Sequence, residues 1–131
     1  MILVDSSVWI DFFRGVDTSG CLKLKELIGR RLVLVGDLML VEVLQGFGNE
    51  RNAQKAAQVL DGFQQASIVD AQIARRAAEY YRLLRARGIT VRKTIDLLIA
   101  TRCIDKGWWL LHNDRDYEPL RQHLGLRVLG D

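Results

Sequence analysis

Four carboxylates lie in parts of this chain that are otherwise apolar. Asp5 ends the run Ile2-Leu3-Val4, and Glu42 stands between Leu38-Met39-Leu40-Val41 and Val43-Leu44. Asp96 lies between Ile95 and Leu97-Leu98-Ile99-Ala100. Asp114 follows Trp108-Trp109-Leu110-Leu111-His112, with Asn113 between. A carboxylate is seldom buried unless it is paired or binds a metal. Taken singly, each has an ordinary explanation. Asp96 suits a helix N-terminal dipole, Asp5 a helix cap, and Asp114 or Asp116 a turn. Glu42 resists that treatment, because an unpaired carboxylate among apolar neighbours is destabilising or stays protonated. Together the four suggest one acidic pocket with a cation in it. An all-oxygen set suits Mg²⁺ or Mn²⁺. Zinc is not indicated: His112 and His123 are the only histidines, and neither pairs with a cysteine at ligand spacing.

The elements that must position these residues alternate between short apolar strands and helices. Strands are expected at 2–5, 32–35, 67–69, 108–112 and 126–129. Ser6 or Ser7 can cap a helix that runs to Arg14 and stops at Gly15. Further helices are expected at 22–28, from Asp37 to Gly46, at 51–63, and from Asp70 to the stop at Gly88. Thr94 caps a helix over 95–106, and a last helix covers 115–124. This alternation predicts an α/β fold with a mostly parallel five-stranded sheet covered on both faces. Ligands of such sheets bind beyond the carboxyl ends of the strands. Asp5 and Asp114 each follow a strand. Glu42 and Asp96 lie near the starts of helices that return antiparallel to the strands. Topology alone therefore brings all four to one edge.

With 131 residues the chain has the length of a single domain, expected to span 1–131. Its apolar fraction of 49% is that of a globular protein with a proper core. No apolar run approaches the ~18 residues of a membrane helix, and the first residues do not read as a signal peptide. Cys21 and Cys103 are lone thiols, so a reduced, cytoplasmic protein is expected. The net charge is +3. With the four acids set aside, a clearly basic body remains, as suits a metal-dependent enzyme acting on a polyanion. Arg14, Arg92, Lys93 and Arg115 flank the acidic segments and are candidates to grip RNA phosphates. There is no nucleophile constellation, Walker loop or Gly-rich dinucleotide turn.

The same residues carry a family resemblance. Segment 2–15, Ile-Leu-Val-Asp-Ser-Ser-Val-Trp-Ile-Asp-Phe-Phe-Arg-Gly, resembles the start of PIN-domain ribonucleases, in particular VapC-type toxins of bacterial toxin–antitoxin pairs. Segments 41–46, 94–100 and 111–117 resemble the family's later motifs, in order and at typical spacing; the last has Tyr117 where Phe is more usual. The resemblance implies a three-layer α/β/α fold and a Mg²⁺- or Mn²⁺-dependent endoribonuclease. Asp5, Glu42, Asp96 and Asp114 would be the acidic quartet, with Asp116 sharing the last place. Ser6, Thr94 and Asn113 would be supporting polar groups. It also implies a homodimer and a VapB-like antitoxin, for which the apolar helix 8–13 offers a surface. Two other classes compete: a receiver-like phosphoacceptor that binds Mg²⁺, with Asp70 as acceptor, and a non-catalytic RNA- or protein-binding module. The latter has no use for converging carboxylates, which repel RNA.

Overall fold

Alternating strands and helices give the chain three layers. The computed structural model describes residues 1–30 and 32–129. In chain order the elements are β1 (Ile2–Val4), α1 (Ser6–Arg14), α2 (Ser19–Leu27), β2 (Val33–Gly36), α3 (Asp37–Leu44), α4 (Glu50–Asp61), β3 (Gln64–Ala66), α5 (Ala71–Ala86), α6 (Thr94–Lys106) and β4 (Trp109–Leu111). A 3₁₀ turn (Arg115–Tyr117) and α7 (Glu118–Leu124) follow. The strands form one parallel sheet in the order β3-β2-β1-β4. In register, Leu3 lies between Leu34 and Leu110, and Val4 is opposite Leu111.

Side chains alternate across a strand, so each central strand feeds two cores. Leu3, Leu34 and Leu110 enter one, with Ala77 and Leu84 of α5 and Leu97, Ala100 and Cys103 of α6. Ile2, Val4, Val33, Val35 and Leu111 enter the other, with Val8 and Trp9 of α1, Leu24 of α2 and Val43 of α3. Burial on both faces explains why these strands read as unbroken apolar runs.

Five details differ from the sequence expectations. The sheet has four strands, not five. Segment 126–129 makes a single parallel bridge, Val128 to Leu110. Leu110 N donates to the Arg127 carbonyl at 2.9 Å and Leu129 N to the Leu110 carbonyl at 2.8 Å. With β4 only three residues long, little ladder is available to extend. The third strand is Gln64–Ala66 rather than 67–69. An edge strand needs no apolar residues, and Gln64 and Gln65 are exposed; Ile68 is instead a fully buried core residue. The first helix is capped by Asp5, as the alternative reading of that residue had it, and not by Ser6 or Ser7. Thr94 is the first helical residue of α6 and Lys93 takes the cap position. The last helix is split between the 3₁₀ turn and α7, with Pro119 at the start of α7.

Candidate functional site

The carboxyl edge of the sheet collects the acids. Asp5 leaves β1 and its N–H donates to the Leu111 carbonyl of β4 at 2.9 Å, which fixes its height. Both of its oxygens are engaged. Oδ2 accepts from Ser7 N at 3.1 Å and Ser7 Oγ at 2.6 Å, and Oδ1 accepts from the Tyr117 hydroxyl at 2.7 Å. Asp5 is thus buried, oriented and at a helix N-terminus, where an anion is favoured. Glu42, half-buried on α3, accepts from Ser6 Oγ through Oε1 at 3.0 Å. Asp96, in the first turn of α6, is only 5% exposed, and its Oδ2 is buried with no hydrogen-bond partner. Asp114 caps the 3₁₀ turn by accepting from Asp116 N at 2.9 Å. One oxygen each from Asp96, Asp114 and Asp116 lies within 4.8 Å of the others. The turn therefore brings both Asp114 and Asp116 to Asp96. Lys93 stands over this trio, with Nζ 2.8 Å from Asp114, 3.5 Å from Asp116 and 4.0 Å from Asp96.

The electrostatics follow from this crowding. Burial, then the charge of Asp5, pushes the Asp96 carboxyl up to about 7. Burial also raises Glu42; the Ser6 hydrogen bond opposes it and Asp5 adds to it. Asp114 goes the other way. Burial acts to raise it, but the Lys93 bond, the Asp116 N–H and the Lys93 charge together hold it below the usual carboxylate range. Lys93 is raised, chiefly by its bond to Asp114, against the opposing effect of burial. Burial raises Tyr117 well above its ordinary value, so it meets Asp5 as a neutral donor. The Cys103 thiol, pushed up to about 12 by burial and then by Asp5, is no nucleophile at neutral pH.

The PIN domain profile matches residues 2–121. This chain belongs to the PIN-domain family. Ribonuclease VapC11 of Mycobacterium tuberculosis is 27% identical to it over 130 residues, covering 98% of this chain and 97% of that one. Among solved structures, VapBC2 from Rickettsia felis, bound to a DNA fragment from its promoter, superposes with a TM-score of 0.77 at 17% identity, covering 98% of this chain and 97% of that one. VapC20 of Mycobacterium tuberculosis, described as a Sarcin-Ricin loop cleaving toxin, gives 0.69 at 19% identity, with coverages of 92% and 95%. At these identities the structural matches establish the fold.

In this PIN domain the basic candidates divide. Arg92, Lys93 and Arg115 line one cleft of ≈ 370 Å³ together with Asp96 and Asp116. Arg14 instead lines a smaller pocket with Ile10, Phe13, Val43 and Phe47. Ser6 bears directly on Glu42. Thr94 is exposed beside Asp96. Asn113 supports Asp5 through its backbone: its N–H donates to Ser7 Oγ at 3.0 Å. Its side-chain amide turns away, donating to Asp11 at 2.9 Å and Thr18 Oγ1 at 2.8 Å. Sequence reasoning missed Ser7 and Tyr117 as partners of Asp5. The only signal for Tyr117 was its departure from the more usual Phe. It named Lys93 as a phosphate contact without anticipating the three carboxylates that surround it.

Proposed function

We propose that this PIN domain is a metal-dependent endoribonuclease, the toxin of a toxin–antitoxin pair, with residues 1–131 forming a single nuclease domain. The observation that carries the reading is the three-carboxylate cluster with the buried, unpartnered Asp96 Oδ2. A buried carboxylate oxygen without a donor calls for a cation. The oxygen-only donor set fits Mg²⁺ or Mn²⁺. Asp96, Asp114 and Asp116 would hold the ion, and Asp5 would face it from β1. A divalent ion in such a site lowers the pKa of a bound water and neutralises charge developing on a phosphate.

The protein's own groups do the rest. Ser7 and Tyr117 lock the Asp5 carboxylate in one orientation. Glu42, raised toward neutrality by burial and steered by Ser6, is the candidate general base for the attacking water. Attack in line with the departing 3′-oxygen leaves a 5′-phosphate and a 3′-hydroxyl. Arg92 and Arg115, which line the cleft with Asp96 and Asp116, would hold the flanking phosphates. The relatives named above as ribonucleases or VapBC proteins support this assignment. The Ile10, Phe13, Val43 and Phe47 pocket, with Arg14 at its side, is our candidate seat for an antitoxin segment. A homodimer working in the cytoplasm completes the reading. Among the described residues no helix is long and apolar enough to cross a membrane.

The receiver-like alternative loses support at Asp70. That residue caps α5 and pairs with Arg102 at 3.0 Å, outside the carboxylate cluster. The test is cleavage of RNA in Mg²⁺ or Mn²⁺. Asp5→Asn and Asp96→Asn each lower the rate by at least ~100-fold with the circular dichroism spectrum retained, and EDTA silences the wild type. Undiminished cleavage in EDTA would end the proposal.

A further inference from the structure

Lys93 is an odd residue for its position. It is the N-cap of α6, with φ −128° and ψ 117°, and it makes no side-chain cap hydrogen bond. Ser, Thr, Asp and Asn are favoured there because they accept from the orphan N–H groups, and lysine has no acceptor to offer. A cation at the positive end of a helix is also electrostatically misplaced. Local helix energetics therefore argue against Lys93, and its tertiary surroundings must compensate.

Those surroundings are the acids. The ammonium donates to Asp114 Oδ2 at 2.8 Å and lies 3.5 Å from Asp116 Oδ2 and 4.0 Å from Asp96 Oδ2. The Asp96 oxygen it faces is the buried one without a hydrogen-bond partner. No other lysine or arginine among the described residues pairs with these three carboxylates. The Lys93 side chain is half exposed, and it rises from a cleft that Arg92 and Arg115 also line. It therefore has room to leave the acids without unpacking any core.

We propose that Lys93 is an exchangeable counter-cation. Its ammonium neutralises Asp96, Asp114 and Asp116 until a divalent ion takes them, and it then turns to the phosphates of RNA held in the same cleft. This rests on the metal-dependent reading above and adds a positioning residue to it. The exchange sets the metal affinity, because ion binding must first break the Lys93 contacts. It also couples metal loading to RNA binding, since the charge released from the acids becomes available to the substrate.

Direct titration of Mn²⁺ into the intact protein, read by electron paramagnetic resonance of the free ion at fixed pH and low salt, tests this without reference to cleavage. Lys93→Gln keeps a polar side chain of similar reach and removes the charge. Removing a positive charge within 4 Å of the ligands raises Mn²⁺ affinity by at least about tenfold, whereas Lys93→Arg stays near the wild type. In EDTA the Lys93→Gln protein melts below the wild type, and saturating Mn²⁺ brings the two together. RNA binding by Lys93→Gln, measured with Ca²⁺ in place of Mn²⁺, is enhanced by the metal less than that of the wild type. Unchanged or weaker Mn²⁺ binding by Lys93→Gln, with the wild type binding normally, would overturn the exchange while leaving the metal-dependent reading intact. Failure of the wild type itself to bind Mn²⁺ would overturn both.

Discussion

Asp96 makes the stability of the metal-free protein depend on pH in the acid-to-neutral range. Its folded value of about 7 lies above the 3.8 of an ordinary aspartate. Between roughly pH 4 and pH 7 the folded protein keeps a proton that the unfolded chain has released, so stability falls as pH rises through that window. Glu42, also raised, acts in the same direction. Asp114, lowered, contributes stability that is lost only as pH falls below the ordinary aspartate value. In EDTA the thermal midpoint should therefore decline from pH 5 to pH 7.5. Asp96→Asn should flatten most of that decline and be the more stable protein at pH 7.5, by on the order of 3 kcal/mol. Saturating Mn²⁺ should remove the decline from the wild type. Tyr117→Phe makes a separate test. It leaves Asp5 Oδ1 without a donor and should cost about 1.5–3 kcal/mol in urea unfolding, the range for a hydrogen bond to a charged group.

At the scale of elements, the site depends on how helices are seated against the sheet. Gly36 joins β2 to α3, the helix that carries Glu42. A Cβ there would meet Met39 Sδ at 2.6 Å and Ile68 Cδ1 at 2.8 Å, so glycine is needed for space and not for an unusual φ. Gly36→Ala should destabilise by ~1–3 kcal/mol through overpacking, and cleavage should fall as Glu42 is displaced. Arg102 performs a matching task for α6. It is 6% exposed, and its Nε donates to the Ile68 carbonyl at 2.9 Å while its Nη2 pairs with Asp70 at 3.0 Å. The guanidinium thus fastens the helix bearing Asp96 to the loop between β3 and α5. Arg102→Met leaves the carbonyl unpaired and should cost about 1–3 kcal/mol, seen as a lower denaturation midpoint at unchanged m-value. Neither role was legible in the sequence. A glycine needed for clearance looks like any turn glycine, and a lone arginine in a helix looks like a solvated one.

For the whole molecule, the arrangement is a basic body opened by an acidic cleft. In the proposed reading the body would draw in a polyanion, the acids would hold a cation, and the basic residues lining the cleft with Asp96 and Asp116 would bring the two together. Single-stranded RNA binding should weaken with salt, with a log–log slope of roughly −0.7 per phosphate contact. The double variant Arg92→Ala, Arg115→Ala should make that slope shallower by about 1.4. Arg14→Ala, on the separate apolar pocket, should leave it unchanged. Filter binding across a salt series, with Ca²⁺ to prevent turnover, reads these slopes.

The alternation of apolar strands with helices, and four carboxylates where apolar residues belong, were both legible in the chain. Together they determined a parallel sheet and an acidic carboxyl edge, because strand direction in a βα repeat dictates which ends meet. The sequence could not say that the third strand is made of two exposed glutamines, since edge strands carry no apolar signature. Nor could it rank Asp114 against Asp116. A 3₁₀ turn of three residues folds both toward Asp96, and that curl arises from the cap bond between them rather than from any periodicity. The Tyr117 bond to Asp5 spans nearly the whole chain, and Lys93 reads as a surface cation until three acids from two elements close around it. Local pattern determined which edge is chemical. The partners of each acid were decided by contacts between residues far apart in the chain, which exist only once the layers have packed.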